Sequence, residues 1–323
     1  MKKNQSTTTH THGYWIHSDR AEDFAAEVKL RKLSQIQQTI SLKDHQLVIC
    51  EGEFFQSWWA QESFPNLQSF SFTSVKNAST QLKEISKYWL PVPVQLHRKQ
   101  ALIQSQLSKT PSKVLTRGQA MPDLVSRSYW LSSENEITTS EDCALPYPAG
   151  TLKIEPDTEA PSRAYAKLDE ALARFRHSPT KEDTVIDLGS CPGGWSWVLS
   201  HLAGQVISVD TAPLDPKMSK RKNVQFLKKD AFALDPRLFP QVTWLVSDII
   251  CYPDKLFELV QKWRSYNTVQ NFVCTLKFKG KTDFSAIQAF AKIPRSQIFH
   301  LNSNKHELTW VHRSSELDKP PHS

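Results

Sequence analysis

The stretch VIDLGSCPGGWSWVLSHLAGQVISVD, residues 185–210, decides how the rest of the chain is placed. The sequence holds only nine glycines, and four of them, Gly189, Gly193, Gly194 and Gly204, fall inside it. Glycine admits backbone conformations and close approaches that a Cβ forbids. Crowded between two apolar runs, these glycines predict a strand, a tight loop and a helix start that admit a ligand. Gly204 is well placed to end the helix, and the second strand closes on an acid, Asp210.

Outward from this stretch, strands and helices alternate. Upstream, SRAYAKLDEALARF puts Ala164, Leu168, Ala171 and Phe175 on one helical stripe, with Lys167 at its edge. Downstream, VQFLKKD and the apolar VTWLVSDII read as strands, PDKLFELVQKWRSY as a helix and NFVCTLKF as a strand. TDFSAIQAFAKI is a further helix, and SQIFHLN and ELTWVHR are two last strands that pair. This alternation predicts an α/β, Rossmann-like, doubly wound and mostly parallel sheet, with ligands at the carboxyl ends of its strands.

The first half has a mixed pattern and predicts a smaller α+β domain over residues 13–145. YWIHS, HQLVICEG, the alternating LQSFSFTSV and MPDLVSRSYWLSS read as strands. AEDFAAEVKLRKL and NASTQLKEISKYWL read as helices, the second stopping before Pro91. A basic stretch runs from His97 through Arg98, Lys99, Lys109 and Lys113 to Arg117. CALPYPAGTLKIEPDTEAP, with its four prolines, predicts an extended linker, centred on 146–161, before a second domain at 162–313. Residues 1–12 and 314–323 are polar and read as flexible tails. His10 and His12 are in that reading solvated, although they could bind a stray metal.

A chain of 323 residues suits two domains, and 39% hydrophobic residues with ten tryptophans can bury a substantial core. The net charge of +7 and pI near 9.0 suit a polyanionic partner, and are also ordinary for a lysine-rich surface. Five scattered cysteines without a CxxC pair argue against a zinc ribbon or a disulfide framework and fit a reducing cytoplasm. No apolar run nears the ~18 residues that span a bilayer, and the N-terminus lacks the apolar core of a secretory signal.

Three acids follow successive predicted strands: Asp210, Asp230 and Asp248. Carboxylates only accept hydrogen bonds and attract positive charge, so they suit a ribose diol, an exocyclic amine and a cationic cofactor. GxGxxG and the P-loop pattern are both absent. A cationic cofactor is therefore favoured over a dinucleotide, and a nicotinamide-dependent oxidoreductase is disfavoured.

DLGSCPGGW, SVD, KKDAF, VSDII, LKFKG and HELTW, in this order, resemble the motifs of the FtsJ-like (RrmJ-type) ribose 2′-O-methyltransferases, over residues 161–313. PSRAYAKLDEA and the CPGGW spelling are most similar to members that act on bacterial large-subunit rRNA. The resemblance implies an S-adenosylmethionine-dependent methyltransferase domain and an RNA partner, rRNA or a pre-ribosomal particle, with no metal. It implies a Lys-Asp-Lys-Glu tetrad at Lys167, Asp248, Lys277 and Glu307. Lys277 would be the general base, and the other three would orient it and the ribose. It also implies that Gly189, Cys191, Pro192, Gly193, Gly194 and Trp195 cradle the methionine part of the cofactor. Asp210 would take the ribose hydroxyls, Asp230 the adenine amine, and Asp248 would lie where cofactor and acceptor meet. The tetrad is coherent as chemistry: an attacking hydroxyl must lose a proton, and an amine accepts one only when neutral. GYWIHSDRAEDFAAEVK and MPDLVSRSYWLSS are similar to the family's N-terminal THUMP RNA-binding region, here shortened.

Each feature has a plainer reading beside this one. A strand-end Asp is often a turn former, Lys277 and Lys279 could face outward from an edge strand, and Glu307 could be a surface acid. Cys191 could be a small loop residue. Lys217, Lys220, Arg221, Lys222, Lys228 and Lys229 could be a solvated face or a phosphate contact. Phe54, Phe55, Trp58 and Trp59 could be core or a base-stacking surface. The alternative for the whole chain is a non-enzymatic RNA-binding or ribosome-assembly protein on a degenerate methyltransferase fold.

Overall fold

The computed structural model describes residues 10–110, 113–143, 145–266 and 268–314. Most of the two expected tails, residues 1–9 and 315–323, lies outside the described residues. The chain divides into two compact units, Met1–Lys113 with Pro122–Leu152, and Val114–Met121 with Lys153–Ser323.

The first unit contains two four-stranded sheets. In one, β1 (Thr11–His17) pairs antiparallel with β3 (His45–Gly52) and β4 (Glu62–Phe64), and β3 also pairs with β2 (Ser34–Ser41). In the other, the order is β5 (Gln68–Ser71), β8 (Glu136–Asp142), β7 (Arg127–Ser133), β6 (Trp89–Pro91). Helices α1 (Ala21–Arg31), α2 (Val75–Ile85) and α3 (His97–Ser105) complete the unit. The expected helix over 77–90 ends at Ile85, because the buried Trp89 indole donates to the Leu82 and Ser86 carbonyls and starts β6. The polar β2, α3 and β8 had no apolar signature, and β5 is largely exposed rather than half buried.

Two expected boundaries shift. Thr11 and His12 belong to β1, not to a tail; His12 is buried, its ring bonded to the Gly52 carbonyl and the Asn66 amide. Tyr147 and Ala149 of the proline-rich segment are core residues of the first unit, and the units divide after Leu152. Apolar side chains between the prolines hold that segment down. Among the aromatics of 54–59, Phe55 and Trp59 are buried, and the Arg31 guanidinium sits 4.0 Å over the Trp58 ring. That patch is core.

The second unit is built on a seven-stranded sheet. Its strands are β9 (Thr184–Leu188), β10 (Gln205–Asp210), β11 (Val224–Lys228), β12 (Trp244–Ser247), β13 (Asn271–Lys277), β14 (Ser296–Phe299) and β15 (Glu307–Arg313). Their order is β11-β10-β9-β12-β13-β15-β14, with the first five parallel and β15 antiparallel to both its neighbours. Helices α4 (Tyr165–Phe175), α5 (Gly194–Leu202), α6 (Pro253–Arg264) and α7 (Phe284–Ala291) match the amphipathic runs. This is the doubly wound α/β architecture the sequence predicts. The sheet reverses direction of growth at β9, which has β10 on one side and β12 on the other. A crevice at the carboxyl ends of strands on either side of such a reversal is where this architecture takes ligands. Valines of the strands and Trp244 of β12 pack against Leu168, Leu172, Val198 and Leu199 of α4 and α5. Among the described residues, no helix is long and apolar enough to cross a membrane.

Candidate active site

Four side chains from four elements meet at the carboxyl end of β12. Lys167 lies on α4, Asp248 directly follows β12, Lys277 ends β13 and Glu307 begins β15. The antiparallel register of β13 and β15 sets Lys277 opposite Glu307. Lys167 Nζ lies 3.0 and 3.3 Å from the two Asp248 carboxylate oxygens and 2.7 Å from Glu307 Oε1. Lys277 Nζ lies 3.0 Å from Asp248 Oδ1 and also donates to the Asp248 main-chain carbonyl. β13 is flanked by β12 and β15, so Lys277 does not stand on an edge strand.

Helix α4 is held so that Lys167 reaches this point. Glu170 and Arg174 follow Lys167 on the same helical face. The buried Glu170 carboxylate accepts from the Asn302 amide at 3.1 Å and pairs with Arg174 Nη2 at 2.8 Å. Burial pushes the Glu170 carboxyl above its usual range, against the pull of Arg174. On Asp169, one residue earlier, the Arg117 guanidinium closes a fork at 3.1–3.3 Å. Arg117 Nη1 also reaches Asp157 at 2.9 Å. Arg117, read as part of a basic stretch, is therefore a clamp within the second unit.

Beside the cluster, the turn from Gly189 to Gly194 joins β9 to α5. Gly189 has φ +80° and a Cβ there would stand 2.8 Å from the Ile249 backbone; Gly193 has φ +114°. Only glycine lets the β9 exit lie this close to the loop after β12. A Cβ on Gly194 would collide with Ser162 and crowd Ala164, so this glycine serves the packing of α5 on the start of α4. The Trp195 indole is 3% exposed and donates to the Ala164 carbonyl at 3.0 Å. Its side chain is core, which differs from the expected place in the cradle. The peptide bond from Cys191 to Pro192 is cis. Helix α5 ends at Ala203, and Gly204 serves contact with the Lys181 carbonyl.

Of the strand-end acids, Asp210 accepts from the Cys191 amide on Oδ2 and from the Ala212 amide on Oδ1, both at 2.9 Å. Two amides use about half of the roughly four acceptor positions of a carboxylate, so Asp210 is oriented and still able to bind a diol. Asp230 is exposed, and its Oδ1 caps its own turn through the Phe232 amide at 3.0 Å. The Cys191 thiol is exposed and donates to the Pro213 carbonyl; its limited burial and Asp210 push its pKa up, away from thiolate chemistry.

A fourth acid was not singled out in the sequence. Asp187 lies within β9, 1% exposed, and accepts from Ser196 Oγ at 2.6 Å, while its Oδ1 has no hydrogen-bond partner. Burial first, then the Asp248 and Asp210 charges, push its carboxyl up to about 7. The signal for it was an acid inside an otherwise apolar strand run. Asp210 thus ends β10 and Asp248 follows β12, the two strands that flank β9, and both present acceptor oxygens, with Asp187 buried between them in β9. That donor set fits a ligand with hydroxyls and positive charge, and not a phosphate.

Residues 160–288 match the family model described as FtsJ-like methyltransferase. Ribosomal RNA large subunit methyltransferase M of Pseudoalteromonas atlantica is 30% identical over 227 residues, covering 67% of this chain and 60% of that protein. The protein of the same name from Shewanella sp. strain MR-4 is 28% identical over 180 residues, 54% of this chain and 50% of that protein. Among solved structures, Aeropyrum pernix fibrillarin with bound S-adenosyl-L-methionine covers 57% of this chain and 81% of its own length at 14% identity and a TM-score of 0.34. The chain spans half to three fifths of the length of these two curated relatives, and through residues 160–288 it is similar to the FtsJ-like methyltransferases.

Proposed function

We propose that the protein is an S-adenosylmethionine-dependent ribose 2′-O-methyltransferase acting on ribosomal RNA in the cytoplasm. The observation that carries this reading is the Lys167–Asp248–Lys277–Glu307 cluster at the carboxyl edge of the sheet, next to the glycine turn. When bound, the cofactor supplies an electrophilic methyl group on a sulfonium. Asp210 would bind its ribose hydroxyls, and the acids of the crevice would favour its positive charge. Asp230, whose Oδ1 already caps a turn, would meet the adenine amine with its other oxygen.

The residues of the cluster divide the work. Lys167 pairs with two carboxylates, and so fixes Asp248 and Glu307. Lys277 takes the proton of the attacking hydroxyl. A neutral amine has two N–H groups and one lone pair. The Asp248 carboxylate and carbonyl accept the two N–H groups of Lys277, which leaves the lone pair for the substrate hydroxyl. Asp248 thus aims the base, and Lys167 and Glu307 aim Asp248. The hydroxyl oxygen would bond the methyl carbon as the carbon–sulfur bond breaks and its electron pair returns to sulfur, while the proton passes to Lys277 Nζ. RNA recognition by the first unit, as a shortened THUMP-like module, is part of the same proposal.

Lys277→Ala is the test. Methyl transfer to rRNA falls by about 10²- to 10⁴-fold, the usual worth of a positioned acid or base, and calorimetry shows cofactor affinity retained. Transfer by Lys277→Ala at the wild-type rate would remove Lys277 as the base.

A further inference from the structure

The loop from Asp248 to Tyr252 leaves β12 at the reactive cluster and carries two exposed apolar side chains. Ile250 is 76% exposed and Tyr252 is 59% exposed. The Tyr252 main chain has a structural task, because its carbonyl accepts from the Leu256 amide at 3.1 Å and precedes the first turn of α6. Its ring has none that burial would explain. Instead the ring lies 5.4 Å from Lys279 Nζ. Lys279 is exposed and stands two residues past Lys277, so one segment supplies a lysine to the cluster and a lysine to the Tyr252 ring.

This aromatic face stands in water beside a cation, two residues from the exposed Ile250, and the fold does not bury it. Its chemistry fits an RNA nucleotide, whose base offers a π face to the ring and whose backbone phosphate suits the lysine. Its location fits as well. Tyr252 is four steps along the chain from Asp248, a reach of roughly 14 Å at most, a few steps along a stacked strand at about 3.4 Å each. We infer that Tyr252, flanked by Ile250 and Lys279, is the platform on which a base of the RNA stacks next to the ribose that is methylated. This rests on the proposed methyltransferase reading and gives the site its substrate contact. Lys279 is the phosphate-positioning partner of the platform.

The test uses the full chain, S-adenosylmethionine, and ribosomal RNA isolated from cells that lack this gene. Tyr252→Ala raises KM for RNA roughly tenfold, within the range measured for loss of one stacked base, with kcat changed less than about twofold and cofactor affinity unaltered. Tyr252→Trp, which restores an aromatic face, brings KM back towards the wild-type value. Lys279→Ala raises KM by a smaller factor and lessens its dependence on salt. Methyl transfer by the wild type with KM unmoved in Tyr252→Ala overturns the platform and leaves the methyltransferase reading standing. A parallel loss of cofactor affinity in Tyr252→Ala also overturns it, because the ring would then serve the cofactor or the fold. Absence of any transfer by the wild type overturns the methyltransferase reading, and the platform with it.

Discussion

Two ion-pair clusters in the second unit use the same kinds of charge on opposite terms. In one, Lys167 and Lys277 share Asp248, and Lys167 also holds Glu307. In the other, Arg117 forks onto Asp169 and reaches Asp157, whose second partner is the Trp197 indole at 2.8 Å. Burial pushes the Asp157 carboxyl up, but the hydrogen bonds from Trp197 and Arg117 outweigh it and bring it down to about 2. Arginine keeps its proton under all ordinary conditions and satisfies a planar carboxylate with a rigid fork, whereas a lysine amine can give up and take a proton. The arginine cluster joins residue 117 to the segments around 157 and 169, and it is suited to holding them. The lysine cluster stands at the strand ends beside the glycine turn, and it is suited to proton transfer. Charge type, more than charge count, separates scaffold from site.

Exchanging the two cations tests this contrast most severely. Lys277→Arg keeps a positive charge beside Asp248 but removes a group that can become neutral. Methyl transfer is expected to fall by about 10²- to 10⁴-fold, much as in Lys277→Ala, while the melting temperature stays near that of the wild type. Retention of more than a tenth of the activity in radiolabel transfer assays would mean that position 277 acts through charge alone.

The reverse change has a structural outcome. Arg117→Ala leaves the Asp169 carboxylate, only 3% exposed at its side chain, without its fork. Removing one partner of a buried pair costs about 3–5 kcal/mol; with Arg117 partly exposed, a loss near about 3 kcal/mol is expected in denaturant unfolding. Arg117→Lys recovers only part of it, because one ammonium cannot reproduce the fork. The folded fraction of both variants should transfer methyl groups with a wild-type kcat. A large fall in kcat at unchanged stability would assign the arginine cluster to the site instead.

The contrast also bears on what the sequence could reveal. The sheet was legible because β9, β10, β12 and β13 are short apolar runs, each followed by a turn or an acid. Lys167, Asp248, Lys277 and Glu307 were singled out only together, through a resemblance carried by six short motifs and the preceding PSRAYAKLDEA, and their meeting is a product of topology: β15 must run antiparallel beside β13 for Glu307 to face Lys277. The arginine cluster was not legible. Arg117 sits among lysines in a stretch without periodicity, and nothing local says that it folds onto α4. The family resemblance implies Trp195 as a cradle residue, yet a helix turns successive side chains about 100° apart, and this one faces the core. β2 and β8 escaped for a simpler reason. Their residues are mostly polar, so neither carries the apolar alternation that marks a half-buried strand, although β2 pairs with the next strand, β3, and β8 lies between β5 and β7.

Asp187 marks the boundary between the two kinds of cluster, since it is an acid without a cation. Its carboxyl is pushed up to about 7 by burial and by the Asp248 and Asp210 charges. The consequence for stability follows from proton binding. Between an unfolded pKa near 3.8 and the folded value, the folded state holds a proton that the unfolded state has released. Asp187 therefore favours folding at low pH, and that contribution is lost as pH rises through about 7. For a shift of this size the loss between pH 5 and pH 7 is about 2 kcal/mol. Asparagine at this position has a carbonyl to accept from Ser196 Oγ and no charge to bury. Asp187→Asn is thus expected to flatten that part of the pH profile of the cofactor-free protein in urea unfolding, by about 2 kcal/mol, and to be the more stable form at pH 7. An unchanged slope from pH 5 to pH 7 would show that Asp187 is already ionised in the fold. It would then be an acid balanced by groups around it, as Asp169 is by Arg117, and the difference between the two clusters would not extend to β9.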